Sequence, residues 1–222
     1  MAMDIENLNI RDCDEAYLME HANEFSDLCV RAFAEHAERG VKMGPCYMTP
    51  EKWKKWAVGC IGQCITEENK IIAIWLARPN YKKKTADGRL LAIDPEYKGR
   101  HLGLSLSLSF SRKLRDMGMN VFHTDTSLKA PHVVKFHKSY GCKAVGMGSW
   151  SNTNYYSVLF RLALNPEYEI SDEEAERRFK RSARLCKLRF NEDGSRKLIG
   201  KLEYAVLLIP RMVRKVIKAT RK

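Results

Sequence analysis

The sequence predicts an α+β fold in which helices flank one mixed sheet, with a basic helical extension after it. Three observations point there. The spacing of apolar residues switches repeatedly between the two-residue step of strands and the three-to-four-residue step of helices. A short polar turn, Glu67-Glu68-Asn69, joins two strand-like runs into a hairpin. Residues 89–125 read strand, helix, strand, the order of a parallel crossover. With 222 residues, 45% hydrophobic and 30% charged, the chain can build one ample domain with an appendage.

The elements follow in order. Residues 5–11 alternate apolar and polar side chains and open the fold as a strand. Asp14 caps a long helix to about residue 36, with Leu18, Phe25, Leu28, Cys29 and Phe33 at helical steps. A Gly- and Pro-bearing loop over 39–50 leads to a short helix, 50–58, capped by Thr49 with Pro50 in its first turn. Trp53 and Trp56 share a face of that helix and pack it onto the body. Strands are expected at 61–66, 70–77 and 89–93. A helix over about 102–117, a strand over 120–125, a helix over about 131–140 and strands at 143–147 and 155–164 complete a domain spanning 1–165. Residues 165–171 form a polar linker, and 166–222 form the extension. Ser171 caps a helix to about residue 188, whose first turn, Asp172-Glu173-Glu174, suits the helix dipole. A turn with Asp193-Gly194 at its tip precedes a second amphipathic segment, 197–218, interrupted at Pro210.

Composition narrows the function classes. The net charge of +12 is uneven: residues 172–222 carry +9 and residues 1–171 only +3. Such a tail suits nucleic acid, an anionic membrane surface or an acidic partner. Its few aromatics, Phe179, Phe190 and Tyr204, are not interleaved with the basic residues, which argues against nucleic acid. Leu198, Leu202, Ala205, Val206, Ile209, Val213, Val216 and Ile217 recur at helical spacing, so the tail either packs on the domain or lies on an anionic bilayer. No run of 18 apolar residues is present, and residues 1–6 lack a secretory-signal pattern. The expected location is cytoplasmic, peripheral at the inner membrane surface if the tail binds lipid. Seven cysteines, at 13, 29, 46, 60, 64, 142 and 186, form no CxxC pair and read as buried free thiols; no metal is expected.

The chemistry is concentrated after the strand at 89–93. Ile93-Asp94-Pro95 leads through a basic loop, Lys98-Gly99-Arg100-His101, into a helix opened by Leu102-Gly103-Leu104. Amides at a helix N-terminus are unpaired and partly positive, so a diphosphate placed there accepts several hydrogen bonds at once. Gly99 and Gly103 admit close backbone approach, and Lys98 and Arg100 add charge at the rim. This stretch resembles the signature of the GNAT superfamily of acetyl-CoA-dependent acyltransferases: a strand ending in Val/Ile-x-Pro, then Arg/Gln-x-x-Gly-x-Gly/Ala at the head of a helix. Lys98 stands for the Arg/Gln, and His101 for the first glycine, which requires a backbone angle that a non-glycine residue tolerates. Downstream, Ala130 to Cys142 resembles the family's Asn-x-x-Ala-x-x-Leu-Tyr-x-x-x-Gly-Phe: Phe136 matches the Leu, Gly141 the Gly and Cys142 the Phe, while His137 stands at the Tyr and Ala130 at the Asn.

The resemblance covers about residues 5–165. It implies a GNAT-like mixed sheet with flanking helices, acetyl-CoA or another acyl-CoA as co-substrate, and a small-molecule or peptide amine as acceptor. A catalytically degenerate, coenzyme-binding member and an acyltransferase acting on envelope precursors at a membrane surface are the alternatives, and a homodimer is compatible with each. The coenzyme would lie along Leu91, Ala92 and Ile93, on the turn from Lys98 to Leu104, and against Phe136. The strands beside it would splay to admit the pantetheine, and a strand amide would hold the oxyanion. His137 would be the acid that protonates the thiolate, with Tyr140, one turn on, as the alternative. Asp87 would be the base if it begins the strand, and a plain turn residue if Asp87-Gly88 is a turn. His123 and Asp125 share one face of their strand and are alternative bases or acceptor contacts. His36, Glu38 and Tyr47, read as lying in the loop after the first helix, complete the expected acceptor site.

Overall fold

The structure is a computed structural model and describes residues 9–150 and 153–203. A seven-stranded sheet runs through it in the order β1-β2-β3-β4-β5-β7-β6. β1 (Ile10–Cys13), β2 (Ile61–Glu67), β3 (Lys70–Asn80) and β4 (Thr85–Ile93) form an antiparallel meander, and β5 (Val121–Ser127) joins β4 in parallel. β7 (Ser157–Ala163) pairs antiparallel with β5, and β6 (Lys143–Gly148) is the outer strand. Residues 5–8 of the predicted first strand lie outside the described residues.

Local chemistry sets most boundaries. Asp14 caps α1 (Glu15–Glu20) by accepting the Tyr17 amide at 2.8 Å. The predicted long helix is divided at His21, and α2 continues over Ala22–Glu38. His36 and Glu38 therefore belong to a helix rather than to a loop. Thr49 caps α3 (Pro50–Ala57), where Trp53 is fully buried, stacks on Phe25 and donates its indole N–H to Leu18 O at 2.8 Å. Glu68 and Asn69 both take left-handed backbone angles, the geometry a two-residue hairpin demands.

Two layers of helices cover the sheet. On one face α1, α2 and α3 pack on Cys64, Ile74, Leu76, Leu90 and Ala92. On the other, α4 (Leu102–Asp116) lays Leu102, Leu106, Phe110 and Leu114 against Ile65, Trp75, Ala86 and Phe122. α5 (Pro131–Ser139) follows β5. All seven cysteines are buried and free.

The extension begins as part of this body. Ser171 caps α6 (Asp172–Arg189), which lies along the outer strand β6. The Ser182 hydroxyl accepts from Met147 N at 3.0 Å and donates to Met147 O at 3.1 Å, so a side chain closes backbone groups that an edge strand would leave open. The chain then reverses through a Phe190–Arg196 bridge into a helical turn over 198–203, where Leu198 and Leu202 are exposed. The remaining positions of the predicted amphipathic segment, from 204 through Pro210 to 218, lie outside the described residues. No helix among the described residues is long and apolar enough to cross a membrane.

Candidate functional site

The sheet splits where β4 meets β5. Their parallel ladder holds only Thr85–Val121, Ala86–Phe122 and Asp87–His123, yet β4 runs on to Ile93 and β5 to Ser127. Each keeps its outer partner, β4 with β3 as far as Ile93–Ala73 and β5 with β7 as far as Ser127–Ser157. The two halves of the sheet therefore open like a wedge, leaving the inner edge of β4 without a neighbouring strand. The register shift opposite Leu76 and Ala77 makes Arg89 an extra residue in β4, just where the ladder to β5 ends. A cleft of about 1340 Å³ fills the wedge, lined by β4, β5, the end of α2, the head of α4 and α5.

The turn into α4 forms one end of this cleft. Gly99 (φ +82°) and His101 (φ +59°) both adopt the left-handed conformation. The amides of Leu104 and Ser105 bond His101 O, each at 3.1 Å, but those of Gly99, Arg100, His101, Leu102 and Gly103 bond no acceptor among the described residues. Five consecutive free donors thus meet a helix N-terminus. Lys98, Gly99, Arg100 and His101 are exposed, whereas Leu102 and Gly103 are buried. Gly103 has a different role from the one its spacing suggests: a Cβ there would stand 3.0 Å from Ile93 and 3.5 Å from Phe136, so it lets α4 approach β4 and α5. Asp94 fixes the turn from beneath. Its carboxylate is 1% exposed and receives Arg31 of α2 at 3.0 Å and Lys70 of β3 at 3.2 Å. Burial opposes its charge, but hydrogen bonds from Lys70, the Glu96 amide and Arg31 outweigh that and hold its pKa below the usual carboxylate range.

The remaining expected residues divide. Leu91, Ala92, Ile93, Leu104 and Phe136 line the cleft. Asp87 sits inside β4, not in a turn, and faces His123 across the last rung of the ladder. Asp87, His123 and Asp125 lie along the cleft, on the side of the sheet covered by α2. Burial lowers the His123 pKa, partly countered by Asp87, so its imidazole is neutral at pH 7. His36 lines the cleft from α2 and stacks on His132 of α5, ring centroids 6.5 Å apart; burial and then His132 lower its pKa.

Five expectations need correction. Glu38 and Tyr47 are exposed and do not line the cleft, because the last turn of α2 and the 3-10 turn Gly44–Tyr47 direct them outward. The Arg100 side chain stacks over the Tyr97 ring at 4.7 Å and is not part of the cleft wall, so the expected contact narrows to its backbone amide. Tyr140 turns into an apolar cluster with Val134, Cys142 and Phe160, where its hydroxyl is buried without a partner and its pKa is pushed up by burial. His137 reaches the cleft but is only 2% exposed. Its Nδ1 donates to Val133 O at 3.0 Å, leaving Nε2 as an acceptor 3.4 Å from the Thr124 hydroxyl, and burial pushes its pKa down to about 4. It is therefore neutral at pH 7 and cannot serve as the imidazolium acid. Sequence reasoning missed Glu35, His132, Trp150 and Tyr155, all in the cleft wall. Nothing in their spacing signals them: His132 comes beside α2 through its ring contact with His36, and Trp150 and Tyr155 reach the cleft from the connection between β6 and β7.

No protein-family model matches the sequence, and no curated protein matches it. Solved structures do. A GNAT-family protein from Desulfovibrio desulfuricans aligns over 71% of this chain and 99% of its own length, with 17% identity and a TM-score of 0.55. The PaiA N-acetyltransferase of Thermoplasma acidophilum, in complex with coenzyme A, aligns over 71% and 99%, with 12% identity and a TM-score of 0.54. An aminoglycoside 6′-N-acetyltransferase complexed with coenzyme A aligns over 72% and 99%, with 13% identity and a TM-score of 0.56. The chain has the GNAT fold.

Against the GNAT signature, two of the departures, His101 and His137, have a structural explanation. His101 replaces a glycine yet keeps the left-handed angle, so the turn retains its shape. His137 occupies the position of the signature tyrosine but is spent on a helix carbonyl and Thr124. The residues present also fit a coenzyme. The five free amides suit a diphosphate, and the unpaired inner edge of β4 suits an amide-bearing arm.

Proposed function

We propose that the chain is an acyl-CoA-dependent N-acyltransferase that moves an acetyl or other acyl group to an amine in a ternary complex. The observation that carries this is the run of five free amides, Gly99 to Gly103, at the mouth of a wedge opened between β4 and β5. Each charge-assisted hydrogen bond to a phosphate oxygen is worth about 1.5–3 kcal/mol, so several together suffice to anchor a nucleotide. Bound acetyl-CoA supplies the acyl group as a thioester. The chain then positions and polarises: a free amide on the inner edge of β4 stabilises the oxyanion, and His123 accepts the amine proton. Its neutral imidazole, in the cleft beside Asp87, supports that role. The C–N bond forms as the C–S bond breaks, and the proton taken by His123 balances the one the departing thiolate acquires. With His137 neutral and Tyr140 turned away, that proton comes from protonated His123 or from water rather than from a dedicated acid on α5.

The test is thiol release from acetyl-CoA with a panel of primary amines, together with the His123→Gln variant. Amine-dependent release that falls at least about tenfold in the variant, with acetyl-CoA affinity retained, supports the reading. Acetyl-CoA binding without turnover on any amine would favour a coenzyme-binding protein instead.

A further inference from the structure

The acceptor end of the cleft holds a second set of groups that the transfer step does not use. Asp125 follows His123 by two residues on β5, which puts both on the same side of the strand. Asp87 lies across the last rung from His123, so it and Asp125 stand on opposite sides of the opening between β4 and β5. The Asp125 carboxylate is exposed to the cleft and makes one hydrogen bond, from the Trp150 indole N–H at 3.0 Å. That bond holds the indole beside the carboxylate while 45% of Trp150 remains exposed. Tyr155 completes the group. It is 7% exposed, lines the cleft near Asp125, and its hydroxyl bonds none of the other described residues. On a side chain otherwise buried, that hydroxyl is the end left open to the cleft, where it can take part in a hydrogen bond to a ligand.

The charged groups in the cleft wall favour a cation here. Lys98 is within 3.9 Å of Glu35, and Arg89 stacks over Trp56 at 5.6 Å. Among the described residues, Asp87 and Asp125 form no ion pair. A carboxylate beside a partly exposed indole is a pairing that retains an ammonium, through charge and cation–π attraction.

We propose that Asp125, Trp150 and Tyr155 form a subsite for a second ammonium group, so that the acceptor is a diamine or an amine with a further cationic nitrogen several bonds from the one acylated. This rests on the transferase reading above. The Asp125 carboxylate pairs with the distant ammonium, Trp150 packs against it, and the Tyr155 hydroxyl accepts one of its protons. The near nitrogen then lies by His123, where it must be deprotonated to attack. No bond to the distant nitrogen forms or breaks.

The test compares kcat/KM for putrescine, n-butylamine and the amino alcohol of the same length. The proposal expects putrescine to exceed both by at least about tenfold, mostly through KM. In Asp125→Asn the ratio of putrescine to butylamine should fall toward one, and Trp150→Leu should lower it less steeply. If Asp125→Asn proves unfolded, the Trp150→Leu ratio together with the salt dependence of the putrescine KM decides, since a retained ammonium weakens as salt rises. Equal use of all three amines by the unaltered protein, a preference for the amino alcohol, or a ratio that survives both substitutions overturns the proposal and leaves the transferase reading intact. Absence of acetyl-CoA binding overturns the transferase reading itself, and is read separately by titration.

Discussion

His101 tests the anchoring turn most sharply, because its backbone and its side chain make different demands. At φ +59° and ψ 10° it is left-handed, and it sits in the middle of the run of unbonded amides from Gly99 to Gly103. A left-handed residue costs an L-amino acid about 1–2 kcal/mol, less for histidine than for a β-branched side chain. His101→Val should therefore disfavour this turn by about another 1–2 kcal/mol, which corresponds to a roughly five- to thirtyfold loss of affinity for acetyl-CoA. His101→Gly removes the penalty and should bind within about threefold of the unaltered protein. Isothermal titration at fixed ionic strength measures both, with a melting curve on each variant to separate local from global effects. Valine binding as well as histidine would refute the argument. So would a glycine variant as weak as the valine one, since the imidazole rather than the backbone would then be the contact.

Three further outcomes follow. Asp94→Asn removes a buried carboxylate from Arg31 and Lys70, whose own ends are half exposed; the loss should be about 2 kcal/mol of stability, read by urea denaturation, and it should loosen the turn enough to weaken coenzyme binding. His137 has its folded pKa depressed to about 4, so the unfolded chain protonates first as pH falls. The stability tied to its neutral form is fully present above pH 6.5 and is lost as pH falls toward 4, by about 3 kcal/mol; His137→Gln should lack that component of the pH dependence. The pKa of His123 is likewise lowered, so kcat should decline only below about pH 6.5, where the base becomes protonated. An acid limb unchanged in His123→Gln would remove it from that role.

Much of the fold was legible because local signals and packing agree. The caps Asp14, Thr49 and Ser171 all accept the amides expected of them, and the hairpin turn at Glu68-Asn69 takes its left-handed angles. The anchoring turn could be read because strand, Pro, basic loop and glycines follow one another in sequence. β4 was read too short: Lys82-Lys83-Lys84 and Asp87-Gly88 look like a turn, and only pairing with both β3 and β5 makes 85–88 a strand. The side chains around the cleft were harder. Alternation placed His123 and Asp125 together, but which side of the sheet holds the acceptor depends on where α2 lies. Nothing in the spacing of α5 distinguishes His137, turned inward to Val133 O, from an open cleft residue. Trp150 and Tyr155 flank a connection between β6 and β7 and meet Asp125 only through the order of those strands.

Titration of the intact chain with acetyl-CoA, and separately with pantetheine, which lacks the diphosphate, bears most directly on the anchor at Gly99 to Gly103. Saturable one-to-one binding of acetyl-CoA, at least about a hundredfold tighter than that of pantetheine, is the predicted result. Equal affinities, or no heat with acetyl-CoA, would contradict it.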